Sequence, residues 1–149
     1  MDVGYVILTF LEKLGVEDRH FDENGMIYTT VNDGVLVGIS YNRVSKKLVI
    51  FGKVKEELPA IFNNRLAKNL LARTLAPMYS DAPSLGWDND LGLVGYYIVP
   101  QEDLDVARFD QIFSSFVNWI EKELPELANL DQADPAEKNY MLSDYVMHV

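Results

Sequence analysis

The spacing of apolar residues changes between residues 15 and 26, and this change constrains the fold more than any other feature of the sequence. Up to Gly15 the apolar residues follow the i, i+3, i+4, i+7 spacing of one helix face. After Gly25 the segments MIYTTV, VLVGISYN and KLVIFGKV are rich in β-branched and aromatic residues, with an NDG turn at 32–34. The sequence therefore predicts one helix that ends at Gly15, followed by three antiparallel strands.

A second helix and a second hairpin are predicted next. Pro59 suits the first turn of a helix, since its missing N–H has no partner there in any case. The apolar face of this helix consists of Leu58, Ile61, Phe62, Leu66, Leu70, Leu71 and Leu75. The segment APMYSDAPS then breaks the helix with two prolines, and the segments SLGW and LVGYYIV predict two further strands.

A last helix is expected after Asp105, whose carboxylate can accept an orphan backbone N–H, and it is expected to end at Pro125. The order of elements is α-βββ-α-ββ-α. This order indicates a single α+β domain over residues 1–125, an antiparallel sheet with three helices. Residues 126–149 are predicted to form an acidic, mobile C-terminal tail.

Charge and composition exclude several classes of protein. The 149 residues carry 13 basic and 23 acidic side chains, a net charge of −10, which repels nucleic acid and anionic membranes. There is no cysteine, and thus no disulfide framework or thiolate site. No run of about 18 apolar residues predicts a membrane span, and the N-terminus lacks the basic region of a signal peptide. We expect a cytoplasmic protein.

The acidic run Asp88-Asn89-Asp90 raises the question of a metal site. Counted from Asp88, an EF-hand loop would need a ligand at Gly92 and a bidentate acid at Val99, so the template fails. Asn, Asp and Gly tolerate the left-handed backbone conformation, and the run is therefore interpreted as a hairpin turn. No metal, cofactor or catalytic residue is predicted, although a small metal-dependent hydrolase using Asp88 and Asp90 stays open as an alternative.

The predicted strands are apolar on both alternating faces. Along the last strand, Leu93, Gly95, Tyr97 and Val99 face one side, while Val94, Tyr96 and Ile98 face the other. A sheet that is apolar on both sides is covered on both sides. Three helices in one small domain leave two alternatives open, cover by a helix on each face or partial cover by another chain.

The chain resembles the class I chaperones of bacterial type III secretion, the CesT/SycE-like or Tir chaperone family. The resemblance lies in the size, the acidic charge, the order of elements and the local pattern from residue 66 to 120. Its matching features are Leu70-Leu71, Leu85-Gly86, Asp88-Asn89-Asp90, Leu104-Asp105 and Trp119. The chain departs from the family in its longer break after the second helix and in its long tail.

The resemblance implies a non-enzymatic homodimer in the bacterial cytoplasm that binds the N-terminal segment of a secreted effector and keeps it secretion-competent. A regulatory protein of the same fold, which sequesters another secretion component, is the alternative. By element, the resemblance implies dimer contacts at Leu66, Leu70, Trp87, Val94 and Tyr96. It implies effector contacts at Val6, Phe10, Ile27, Val35, Val37 and Ile39.

Overall fold

The computed structural model describes residues 2–32, 34–55 and 64–131, without the side chains of residues 55 and 123–131. The described elements confirm the predicted α+β class and the predicted order of the strands, and they add a short helix, α3, between the second helix and the fourth strand. In chain order they are α1 (Val3–Leu14), β1 (Met26–Val31), β2 (Val35–Asn42), β3 (Lys47–Lys55), α2 (Asn64–Thr74), α3 (Ala76–Tyr79), β4 (Ser84–Asp88), β5 (Gly92–Ile98) and α4 (Val106–Asp131).

The first helix ends where the sequence predicts. Gly15 adopts the left-handed conformation with φ of 85°, and its N–H donates to the carbonyl of Glu12 at 3.1 Å. A glycine carries no Cβ that would penalise this backbone conformation. The apolar stripe of α1 is buried, and its most enclosed members are Val6, Ile7, Phe10 and Leu11.

The five strands form one antiparallel sheet in the order β1-β2-β3-β5-β4. The predicted hairpin between β1 and β2 is confirmed, with Val31 paired to Val35. This pairing makes the connection longer than the two central residues of a type I′ turn, and Asp33 lies outside the described residues. Asn32 and Gly34 both have positive φ, of 45° and 134°, which suits the residue types found there.

One prediction about proline is confirmed by the structure and one is corrected. Helix α2 ends at Thr74, just before Pro77, as predicted, and Pro77 itself lies in the first turn of the next helix, α3. A proline is tolerated there because the first N–H groups of a helix have no intrahelical partner. Pro125 was expected to end α4, but that prediction is wrong, since the helix continues to Asp131. A proline removes one hydrogen bond, and a helix can continue past it with a kink.

Other predicted positions have mixed outcomes. The carboxylate of Asp105 caps α4, accepting the N–H of Arg108 at 2.7 Å, as predicted. The division of the chain at residue 125 stays a prediction, because residues 132–149 lie outside the described part. The same holds for the predicted start of the second helix, whose positions Leu58, Pro59, Ile61 and Phe62 are not described.

The core lies between the sheet and the pair α1 and α4, on the sheet side that we call the inner face: Ile27, Ile39, Ile50, Gly52 and Gly95. Aromatic side chains join the two helices, with the ring of Phe10 lying 5.0 Å from that of Phe109. Helix α4 lies directly against the strands, because a Cβ at Gly95 would come within 2.5 Å of the Trp119 ring. Burial is therefore concentrated on one side of the sheet, as in other proteins with two packed layers.

Candidate functional site

The opposite side of the sheet carries an open apolar surface. We call it the outer face, and the strand register places on it Met26, Tyr28, Leu36, Val49, Phe51, Val94, Tyr96 and Ile98. Tyr28 on the edge strand β1 is 42% exposed, and Ile98 at the end of β5 is 53% exposed. An exposed apolar surface of this kind marks a site for another molecule more often than a scattered apolar residue does.

A glycine shapes the centre of the outer face. A Cβ at Gly38 would come within 2.2 Å of the Phe51 ring, so the ring lies across this glycine. The ring of Tyr28 meets Phe51 edge-on at 5.7 Å and 83°. Burial, together with the carboxylates of Asp22 and Asp88, raises the pKa of Tyr28, so its phenol stays neutral at physiological pH. The centre of the outer face is therefore an aromatic surface, with Lys53 on the same face two residues after Phe51.

The outer face adjoins a free sheet edge at β1. The N–H of Tyr41 donates to the carbonyl of Gly25, and by alternation Ile27 and Thr29 are also bonded towards β2. The backbone groups of Met26 point the other way, where the Asp22 backbone N–H and carboxylate bind them at 2.9 Å. Among the described residues, Tyr28 and Thr30 are thus left with outward backbone groups, and these form a short template for an additional strand.

A second group of exposed apolar side chains lies on the neighbouring helices α2 and α3. It comprises Leu71, Leu75, Met78 and Tyr79, with exposed fractions of 65%, 46%, 73% and 80%. We call this group the α2–α3 patch. Helix α2 packs on β4, and the Ser84 hydroxyl donates to the carbonyl of Thr74 at 2.9 Å. The helix is held against the sheet by these contacts while the patch points away from the core.

The residues predicted to contact an effector lie in the core. Val6, Phe10, Ile27, Val37 and Ile39 are at most 3% exposed, and Val35 is half-buried against them. A side chain without accessible surface offers nothing to a partner unless the core opens. The prediction selected the strand residues of the inner face, and the accessible side chains are their neighbours in sequence, such as Tyr28 and Leu36.

The residues predicted to form a dimer contact do not share one surface. Leu66 and Leu70 are buried at 6% and 8% exposure. Val94 and Tyr96 lie on the outer face, whereas Trp87 pairs with Leu93 and belongs to the opposite side, although it is 51% exposed. Sequence reasoning named Leu71 and Leu75 as helix-face residues and missed that they are exposed. Their spacing relative to Leu66 and Leu70 could not distinguish a buried stripe from a two-sided helix.

The acidic run at 88–90 is a turn. One carboxylate oxygen of Asp88 accepts the N–H groups of Asp90 and Leu91, at 2.8 and 3.0 Å, and Gly92 has φ of 85°. These bonds give the first residue of the run, Asp88, a structural role in the turn. In the described parts of the chain, no group of three or more His, Cys, Asp or Glu side chains converges as a metal site would require.

Among the described residues, no helix has the length and apolarity needed to cross a bilayer.

Comparisons with known proteins agree on the fold. The structure of the HopA1–SchA chaperone–effector complex matches at 21% identity and TM-score 0.66, covering 81% of this chain and 91% of that one. The ExsC–ExsE complex matches at 16% identity and TM-score 0.69, covering 85% and 97%. The Yersinia pestis type III secretion chaperone SycH, in complex with a stable fragment of YscM2, matches at 18% identity and TM-score 0.58, covering 80% and 97%.

No curated protein sequence matches the chain. The model of the Tir chaperone protein (CesT) family matches residues 6–122, which include every described strand and the buried stripe of α1 from Val6 onward. The resemblance drawn from the sequence is thereby confirmed, and the chain belongs to the Tir chaperone protein (CesT) family.

Proposed function

We propose that this chain is a homodimeric chaperone of bacterial type III secretion that acts in the cytoplasm. It binds the N-terminal segment of an effector and keeps that segment competent for secretion. The observation that carries the proposal is the open outer face beside the free β1 edge, which together fit an extended apolar segment. The family membership and the chaperone–effector complex among the similar folds support the same function.

The outer face and the β1 edge supply complementary parts of such binding. An extended segment that pairs with Tyr28 and Thr30 gains backbone hydrogen bonds without regard to its sequence. Its alternate side chains then lie towards the outer face, where apolar contacts select the segment. The bonds between Asp22 and Met26 occupy one end of the edge, so we expect the added strand to be short.

We assign the effector contact to the outer face, with Tyr28, Phe51 and Ile98 at its centre, in place of the buried residues named from the sequence. We assign the dimer contact to the α2–α3 patch, since its four exposed apolar side chains are costly to leave in water. The accessible members of the predicted dimer set, Trp87, Val94 and Tyr96, stay proposals of the same kind.

Co-expression with N-terminal fragments of candidate secreted proteins tests the effector part. We expect one fragment to co-purify with the wild-type chain and to be lost with Ile98→Glu, because a carboxylate on the outer face is desolvated by an apolar segment. The control is Val44→Glu, whose position is 95% exposed in the β2–β3 turn. Co-purification that persists with Ile98→Glu contradicts the proposal. Failure of every fragment to co-purify with the wild-type chain contradicts it as well.

Light scattering tests the dimer part. The wild-type chain is expected to have twice the monomer mass at micromolar concentration, and Leu71→Glu combined with Met78→Glu to have the monomer mass. Val44→Glu again serves as the control, since it also replaces an exposed apolar side chain with glutamate but lies away from the patch. A monomeric wild-type chain, or a double variant that stays dimeric, contradicts the assignment of the dimer contact to this patch.

A regulator that sequesters another secretion component would use the same surfaces. The alternatives separate in a secretion assay. Deleting a chaperone abolishes export of its bound effector, whereas deleting a sequestering regulator changes the amount of other secreted proteins while export of the bound protein persists.

A further inference from the structure

A cleft of about 650 Å³ opens between α4 and the segment that leads into β4, on the inner side of the sheet. Its walls are Pro83, Tyr97, Ile112, Phe116 and Trp119, and the rings of Phe116 and Trp119 stack with centroids 5.9 Å apart. Pockets that hold ligands typically have volumes of about 300–1,000 Å³. The cleft is therefore large enough for a large apolar side chain and part of its backbone.

Polar groups stand at one end of this cleft. The Tyr97 hydroxyl donates to a carboxylate oxygen of Asp81 at 3.0 Å, and burial and this contact raise the pKa of Tyr97. Arg108 lines the same cleft and is exposed. Over the described part of the chain, its guanidinium makes no hydrogen bond or ion pair, whereas Asp81 is already engaged by Tyr97. Asp81 keeps its negative charge when it accepts this bond, and Arg108 acts on Tyr97 in the opposite direction, lowering its pKa. The arginine at this end thus keeps its hydrogen-bond donors free for a partner.

Arg108 is poorly placed for the stability of its own helix. It lies in the first turn of α4, three residues after the cap Asp105. The helix dipole favours acidic side chains at this end and disfavours basic ones. In a chain with a net charge of −10, a charged surface position is more often acidic than basic. A residue that contradicts a local rule without a local partner points to a binding role.

We propose that the cleft binds an extended segment of the effector that carries a large apolar side chain and, about four residues away, a carboxylate that pairs with Arg108. Arg108 lies about 12 Å along the helix axis from Phe116, at ~1.5 Å per residue. An extended chain covers that length in about four residues, at ~3.3 Å each. The inference rests on the proposed function, because it describes which segments a chaperone of this sequence accepts.

Selection from a random 12-residue peptide library on the full-length protein tests the motif. The expected result is enrichment of peptides with an aromatic or large aliphatic residue and an Asp or Glu three or four positions away. Selection on Arg108→Glu is expected to lose the acidic preference. Enrichment without an acidic residue at that spacing, or the same enrichment on both proteins, overturns the proposal.

Titration of the enriched peptides measures the two parts of the cleft separately. Arg108→Ala is expected to weaken binding roughly two- to fivefold, as for an exposed ion pair, and Arg108→Glu more. The control Lys122→Glu makes the same charge change at an exposed position of α4 that is far along the helix from Arg108. Ser115→Trp fills the cleft from an exposed position and should abolish binding. Ser114→Trp, on the other side of the helix beside Phe10 and Leu14, should not.

The stability of each variant separates binding from folding. We expect Arg108→Glu to leave the thermal midpoint unchanged or raised, because it improves the charge at the start of α4. A lowered midpoint together with weaker binding would show that Arg108 serves the fold and would overturn the proposal. The proposed function fails differently, when no secreted-protein fragment co-purifies with the wild-type chain. The inference alone fails when fragments bind and Arg108→Glu changes nothing.

Discussion

The two faces of the sheet use similar residues for different purposes. On the inner face, Ile27, Ile39 and Ile50 are at most 3% exposed beneath α1 and α4. On the outer face, Tyr28 and Ile98 from the same or adjacent strands stay 42% and 53% exposed. Apolar composition alone therefore does not indicate whether a strand residue stabilises the monomer. The covering helices decide this, and substitutions on the two faces should differ accordingly.

The largest expected effect is on the inner face. Phe109→Ala removes a fully buried ring that packs edge-on against Phe10. Deleting a buried aromatic side chain leaves a cavity, and we expect a loss of about 3–5 kcal/mol in the free energy of unfolding. Urea unfolding followed by circular dichroism measures this. A loss below about 1 kcal/mol would mean that α1 and α4 do not seal this face.

A pair of glycines on adjacent strands compares the two faces directly. A Cβ at Gly95 would lie 2.5 Å from Trp119 and 2.7 Å from Ile120, so Gly95→Ala must displace α4, at a cost of about 1–3 kcal/mol. Gly86 lies on the outer side, where a Cβ would meet Tyr96 at 3.7 Å, an ordinary contact. Gly86→Ala should change the free energy of unfolding by less than about 0.5 kcal/mol. Equal effects in the two variants would contradict the assigned faces.

The sequence predicts the elements well because their signals are local. The stripe of α1, Gly15 and Asp105 each specify a helix or its end within a few residues, and the structure confirms all three. Pro125 is also a local signal, but it is overruled, since α4 continues to Asp131. A proline weakens one turn of a helix, and the bonds on both sides of it can still hold.

The accessible side of each strand was predicted less well, because the direction that a side chain faces depends on packing. Alternation shows that Ile27 and Tyr28 point to opposite sides, but it does not say which side the helices cover. A signal was present in β2, because the residues that alternate with Val37 and Ile39 include Gly38 and Ser40. The less apolar set of a strand is the one expected to meet solvent. The α2–α3 patch and the cleft at Trp119 depend on contacts between distant segments, which periodicity does not contain.

A moderate effect is expected on the outer face, where stability and binding should separate. Tyr28→Ala removes the edge-on contact with Phe51, and we expect about 1 kcal/mol less stability. Binding of an effector fragment should weaken by about 2 kcal/mol or more, as is typical when a tyrosine at the centre of an interface is truncated. Chemical unfolding and titration calorimetry on the same variant measure the two quantities. A stability loss that equals or exceeds the binding loss would make Tyr28 a core residue.

The smallest effect is expected at the β4–β5 turn, which belongs to neither face. Asp88→Ala removes both hydrogen bonds from the carboxylate to the turn N–H groups, and we expect a loss of about 0.5–1.5 kcal/mol. Asp90→Ala is the matched control. Its exposed side chain makes no hydrogen bond to the described residues, so its effect should stay below about 0.5 kcal/mol.

Divalent cations provide the decisive comparison, because a metal that binds the native state raises its thermal midpoint. A midpoint that rises with magnesium or manganese in the wild-type chain, and not in Asp88→Ala, would revive the metal-dependent hydrolase. An unchanged midpoint leaves Asp88 with the structural role that its two hydrogen bonds describe.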